Sequence, residues 1–225
     1  RKIKSPMIFA HVRAATPGYA VDEQNCHPFV HGQMTWMHNG MALGFKTIRR
    51  KLLRELKDDA YDAIHGSTDS EHLFGLFLNQ FEDPNGPVTT AQMVAALEGM
   101  FRDLDRLLAE HKVKDHSYLN LCVSNGKSVI ATRYTSNPRV QPASLYYMFG
   151  EKFVCDDHQC YMQPDAGKSK AVIIASEPFT AVKSDWIKVA RNSMIIVEED
   201  LTIRFQDIRM EHEVRSSELR LTEVE

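Results

Sequence analysis

Four short stretches hold side chains that could do chemistry. His38-Asn39-Gly40 follows the apolar run Met34 to Met37, which sets an amide side chain next to a glycine N–H that can be approached closely. Two such donors aimed at one point suit an oxyanion hole, because they stabilise negative charge as it develops on a carbonyl oxygen. Arg13 ends the strand-like run Phe9-Ala10-His11-Val12, where its planar fork can hold a carboxylate through two parallel hydrogen bonds. Gly66-Ser67-Thr68-Asp69-Ser70-Glu71 places the acid Asp69 at a helix start. Asn25-Cys26-His27-Pro28-Phe29 is a loop stiffened by proline, with a histidine beside a cysteine. Taken singly, each has a plainer reading: Arg13 as an ion-pair partner, Asp69 as an acid held by the helix dipole, Asn39-Gly40 as a turn.

The four cysteines offer little as nucleophiles. Cys122 lies inside an apolar strand and reads as a small core residue. Cys26 has His27 beside it, but neighbouring residues rarely aim at one another. Cys155-x-x-His158-x-Cys160 supplies three ligands where a structural zinc site takes four, so it reads as a hairpin tip and no metal is expected. Irregular cysteine spacing in a chain of this size predicts reduced thiols and a cytoplasmic setting.

The elements that must position these groups follow from periodicity. Met7 to Val12 and Met34 to Met37 read as strands around a polar loop. Phe45, Ile48, Leu52, Leu56 and Ala60 recur at helical spacing, with Arg49, Arg50, Lys51 and Arg54 on the opposite face. Thr68-x-x-Glu71 has the form of a capping box and opens a helix with the stripe Leu73, Phe74, Phe77, Leu78 and Phe81. A longer helix is predicted from Thr90 to His111, with Val94, Leu97, Phe101, Leu104 and Leu108 inward. Strands then dominate: Tyr118 to Ser124 and Ser128 to Tyr134 about the hairpin signal Asn125-Gly126, then Leu145 to Phe149, Ala171 to Ser176, Ser193 to Val197 and Leu201 to Phe205. Strands, then helices, then strands make an α+β layered domain over 1–208, followed by a charged tail over 209–225.

In this order the motifs FAHVRA, NCHPF, MHNG, IRRKLL, GSTDSE and ASEP, with VRSSEL near the end, resemble a class-II glutamine amidotransferase domain. Within that class the chain is most similar to the amidotransferase subunit of the fungal-type glutathione-degradation complex. The resemblance implies a four-layer αββα N-terminal-nucleophile hydrolase sandwich and attack on γ-glutamyl amides. It implies Asn39 (side chain) and Gly40 (backbone N–H) as the oxyanion hole. It implies Arg13, assisted by Thr16, for the substrate α-carboxylate, Asp69 for the α-ammonium, and His27 in the pocket-forming loop. The family's nucleophile is an N-terminal cysteine, whereas this chain starts at Arg1 and runs at once into an apolar stretch. The sequence therefore reads as a fragment without the first strands or the nucleophile, inactive alone. The implied substrate is glutathione or a related γ-glutamyl compound, with a peptidase-like partner subunit. An ergothioneine-pathway γ-glutamyl amidase, a glutaminase-type ammonia donor and a non-catalytic binding or scaffold protein are the alternatives.

Bulk properties exclude other classes. The 225 residues are 43% hydrophobic and 25% charged, which is ordinary for a globular chain able to bury a core. A net charge of -3 with no basic block argues against nucleic-acid binding. No apolar run approaches the roughly 20 residues that span a bilayer, and no cofactor is implied.

Overall fold

The computed structural model describes residues 5–12, 22–137, 139–156, 159–164, 170–180 and 182–208. The predicted tail over 209–225 lies outside them.

Two antiparallel sheets carry the fold. The larger has the order β1-β2-β3-β4-β10-β11, from Phe29–His31, Met34–Met41, Tyr118–Ser124, Val129–Arg133, Ser193–Val197 and Ile203–Asp207. The smaller has the order β8-β5-β9, from Ala171–Ala175, Tyr146–Gly150 and Ile187–Lys188. Strands β6 (Lys152–Asp156) and β7 (Gln159–Gln163) pair as a separate hairpin. Alternation along the strands sends Trp36, Leu119, Leu121, Val123, Ile130, Met194 and Ile196 to one face of the large sheet, where they join the main core with the helices. The other face sends Ala131, Ile195 and Val197 against Leu145, Tyr147 and Val189.

Among the described residues four helices cover the first face: α1 (Phe45–Glu55), α2 (Asp58–Asp62), α3 (Asp69–Leu78) and α4 (Thr90–Glu110). The predicted stripes of α3 and α4 are the buried ones, except that Val94 is only partly buried. The single helix expected through Ala60 is instead two. Leu56 is extended, the Lys57 N–H donates to Asn79 Oδ1 at 2.8 Å, and Asp58-Asp59 open a new helix where acids suit the positive end of the dipole. The described layers are thus helix, sheet, sheet. Beyond the small sheet, Met148 packs with Met162 of the hairpin and Trp186.

Other expectations are corrected locally. Met7 to Val12 forms no strand. The Asn125-Gly126 turn is not one with two left-handed residues. Only Gly126 has positive φ, while Asn125 Oδ1 accepts from the N–H groups of Lys127 (3.0 Å) and Ser128 (2.9 Å) and its amide donates to Val88 O. The capping box at Thr68 is half formed: Thr68 Oγ1 accepts from Glu71 N–H, but the Glu71 carboxylate turns to His65 and Gly66. A full capping box stands instead at Thr89 and Gln92, opening α4. Cys155 and Cys160 face each other across the β6–β7 hairpin in a disulfide, so the hairpin reading holds while the expectation of all-reduced thiols does not.

The two sheets are tied by Arg133, which is buried and has no carboxylate partner among the described residues. Its guanidinium donates to the carbonyls of Pro142, Ala143 and Val189 at 3.0 to 3.3 Å, and burial lowers its basicity. Arg133→Met would strand Pro142 O and Val189 O. Urea unfolding is expected to show a loss of about 2–4 kcal/mol, whereas a loss below about 0.5 kcal/mol would contradict this tie.

Candidate functional site

Strand β2 runs on through His38, Asn39, Gly40 and Met41, so Asn39-Gly40 is extended backbone within the sheet rather than a turn. Gly40 is required there by close approach. Its φ is 157°, and a Cβ would lie 1.8 Å from Tyr118 O and 2.8 Å from His38 Nε2. Asn39 is exposed on the face that looks away from the helices, and its amide makes no hydrogen bond among the described residues. That leaves Nδ2 available to a ligand.

The first turn of α3 is fastened at three points to β2 and the residue that follows it. Trp36 Nε1 donates to Ser70 O at 3.1 Å, and His38 Nδ1 meets Ser70 Oγ at 2.9 Å. Ala42 N–H donates to Asp69 Oδ2 at 2.8 Å. His38 Nε2 lies 3.2 Å from Tyr118 O. A carbonyl only accepts, so Nε2 donates to Tyr118 O. Asp69 Oδ1 also accepts from Ser70 N–H at 2.9 Å. The half-buried Asp69 carboxylate is thereby held close to the Asn39-Gly40 end of β2, with lone pairs left for a cationic ligand.

Two further polar groups gather the neighbouring loops. Glu71 is buried, and its two oxygens accept from His65 N–H (2.8 Å) and Gly66 N–H (2.7 Å). Asn25 Oδ1 accepts from Ser67 N–H at 3.0 Å, joining the His27 loop to the Asp69 segment. Gly66 leaves no room for a side chain: a Cβ would fall within 2.8 Å of Asn25 Oδ1, Glu71 Oε2 and Gln24 O. His27 is half-buried, with its ring 4.3 Å from His11 and 4.7 Å from Phe29, so the Phe9 to Val12 segment also reaches this end. Arg13 and Thr16 lie outside the described residues. Of the predicted residues, the structure brings Asn39, Gly40 and Asp69 to one end of β2 and joins the loop of His27 to them.

Sequence reasoning missed Asn25, Ser70, Glu71 and His72 as the groups that hold the site. For Ser70, Glu71 and His72 the signal is a run of polar residues opening a helix in which Ser70 to Leu78 are all buried. His72 donates from Nδ1 to Thr68 O (2.8 Å) and accepts at Nε2 from Arg49 Nε (3.1 Å). Burial pushes its proton affinity down to about 4.

The four cysteines differ in their surroundings. Cys26 Sγ contacts Asp22 O at 3.4 Å, and burial pushes the Cys122 thiol up to about 12. Cys155 and Cys160 are bonded to each other. No cluster of three metal-ligating side chains occurs among the described residues. No helix among them is long and apolar enough to cross a membrane.

The chain belongs to the class-II glutamine amidotransferases, whose family description matches residues 1–219. It is 37% identical over 210 residues to the probable glutamine amidotransferase DUG3 of Saccharomyces cerevisiae, covering 88% of this chain and 58% of the yeast protein. It therefore spans little more than half the length of that relative. A glutamine aminotransferase class-II domain protein from Silicibacter pomeroyi superposes with a TM-score of 0.60 at 27% identity, over 83% of this chain and 72% of that one. The glutamine phosphoribosylpyrophosphate amidotransferase of B. subtilis shares the fold with a TM-score of 0.50 at 14% identity, over 89% of this chain and 34% of that one.

His72 makes stability depend on pH. It binds a proton less readily folded (about 4) than unfolded (6.5), so its contribution is complete above pH 6.5 and is lost as pH falls from 6.5 towards 4. The loss amounts to about 3 kcal/mol. His72→Asn keeps a donor for Thr68 O and is expected to flatten this part of the stability–pH curve. An unchanged curve would place the titration elsewhere.

Proposed function

We propose that this chain carries the substrate-recognition half of an amidase acting on γ-glutamyl amides by a thiol mechanism. The observation behind the reading is the joining of Asp69 to the Asn39-Gly40 strand end through the 2.8 Å bond from Ala42 N–H. A γ-glutamyl group laid there would put its ammonium on Asp69 and its amide carbonyl against Asn39 Nδ2 and Gly40 N–H. Arg13, with Thr16, would take the α-carboxylate, and the His27 loop would wall the pocket.

In the reaction so read, the thiolate of an N-terminal cysteine of the full-length protein attacks the γ-carbonyl carbon. The carbonyl π electrons move onto oxygen, which the two N–H donors stabilise. As the tetrahedral species collapses, the C–N bond breaks and the leaving amine takes the proton first accepted by the nucleophile's own α-amine. Water then attacks the γ-glutamyl thioester, releasing glutamate and the thiol. In the described part of the site the Asp69 carboxylate is already hydrogen-bonded in place and the Asn39-Gly40 backbone is set by the β2–β3 ladder, while the Asn39 amide is open to the ligand.

The IRRKLL and GSTDSE stretches point to glutathione or a related γ-glutamyl compound, with a peptidase-like partner subunit receiving the product. The complete fold in this reading is the αββα sandwich, working in the cytoplasm. An ergothioneine-type amidase and a glutaminase-type ammonia donor share the same γ-glutamyl end and differ only in the leaving group. A non-catalytic γ-glutamyl-binding role is the second reading.

Glutamate release by the full-length protein separates these readings. Asn39→Ala is expected to lower kcat by about 10²- to 10³-fold. Asp69→Ala is expected to lower kcat/KM on the order of 10²-fold. Unchanged turnover in either variant would remove that residue from the site. Binding of γ-glutamyl compounds with no glutamate release by the parent protein would establish the second reading.

A further inference from the structure

We propose that Asn120 is a positioning residue for Asn39: its carboxamide oxygen takes one of the two Nδ2 hydrogens of Asn39 and so turns the other towards the reacting carbonyl. This rests on the reading of Asn39 as an oxyanion donor.

Asn39 and Asn120 are direct partners in the β2–β3 ladder, so their side chains share a face of the sheet with Cβ atoms about 5 Å apart. Asn120 is only 5% exposed. Its Nδ2 donates to Ser144 O at 2.9 Å and to Ala143 O at 3.3 Å. Those two carbonyls fix which end of the amide is nitrogen, since an oxygen turned towards them would be repelled. The remaining atom, Oδ1, is buried and has no hydrogen-bond partner among the described residues. A buried carbonyl acceptor left empty is costly, which asks for a donor that arrives in the working state.

Asn39 can be that donor. A carboxamide held by nothing presents oxygen or nitrogen with similar ease, and oxygen facing an oxyanion opposes catalysis. An acceptor alone, Oδ1 of Asn120 favours the nitrogen of Asn39 on its side of the amide. With one hydrogen so engaged, the second hydrogen of the same planar group has a fixed direction. The bonds to Ala143 and Ser144 also root Asn120 in the segment that Arg133 ties to the small sheet, so the acceptor is placed by the packing of the two sheets.

A double-mutant cycle in the full-length enzyme, read by steady-state glutamate release from L-glutamine and from glutathione, tests this. Asn120→Ala is expected to lower kcat about tenfold or more, with KM within about threefold. In an Asn39→Ala background the same change should alter kcat by less than about twofold, because the group it positions is gone. Asn120→Thr keeps a hydroxyl for the neighbouring carbonyls but cannot reach Asn39, so it should show the same kcat loss in a better-folded protein. Equal kcat losses in both backgrounds, or a loss of thermal stability with unchanged kcat, would overturn the proposal. An unchanged kcat in Asn39→Ala alone would overturn both this proposal and the oxyanion reading beneath it.

Discussion

Three hydrogen bonds fasten the first turn of α3 to strand β2 and its C-terminal neighbour Ala42, and the rest of the site depends on them. Trp36 reaches Ser70 O, His38 reaches Ser70 Oγ, and the Ala42 N–H reaches Asp69 Oδ2. All three are long-range in sequence, so they form only when the helix layer has docked on the large sheet. The docking force is apolar: Trp36 packs against Phe74 and Phe77, and both rings lie in the buried run of α3. Burial drives the helix onto the sheet, and the polar bonds decide where along β2 its acidic end stops.

That division of labour explains why so many polar groups are buried at one end of an otherwise apolar layer. Glu71 holds the turn at His65 and Gly66, Asn25 holds Ser67, and a neutral His72 bridges Thr68 and Arg49. Each satisfies backbone or side-chain groups that would otherwise be stranded where the chain turns beneath the sheet. The result is a carboxylate, Asp69, whose position is over-determined, next to an amide, Asn39, that remains open to a ligand. In the proposed reading, the acid is thus in place before substrate arrives.

The helices were the most legible part of the sequence, because the stripes Leu73, Phe74, Phe77 and Leu97, Phe101, Leu104 fix which face is buried. The break of α1 at Leu56 was not legible, since it depends on Asn79, more than twenty residues away. Met7 to Val12 has strand composition but forms no ladder, and composition alone cannot supply a partner strand. Asn39-Gly40 taken alone also admits a turn. Its extended form is set by the ladder to Asn120 and Leu119, and its glycine by Tyr118 O. The acidic and amide groups of the proposed site can be named from residue type alone. Asn120 and Asn25 cannot, because their roles rest on register and on distant backbone atoms.

The central claim is that the Asn39-Gly40 end of β2 and Asp69 receive one γ-glutamyl group between them. It is tested most directly by a crystal structure of the full-length protein with 6-diazo-5-oxo-L-norleucine, a glutamine analogue that alkylates a thiol nucleophile. The account predicts the ligand's ketone oxygen within hydrogen-bond distance of Asn39 Nδ2 and Gly40 N–H, and its ammonium on the Asp69 carboxylate. A ligand seated elsewhere, or bound here with its ammonium away from Asp69, would contradict it.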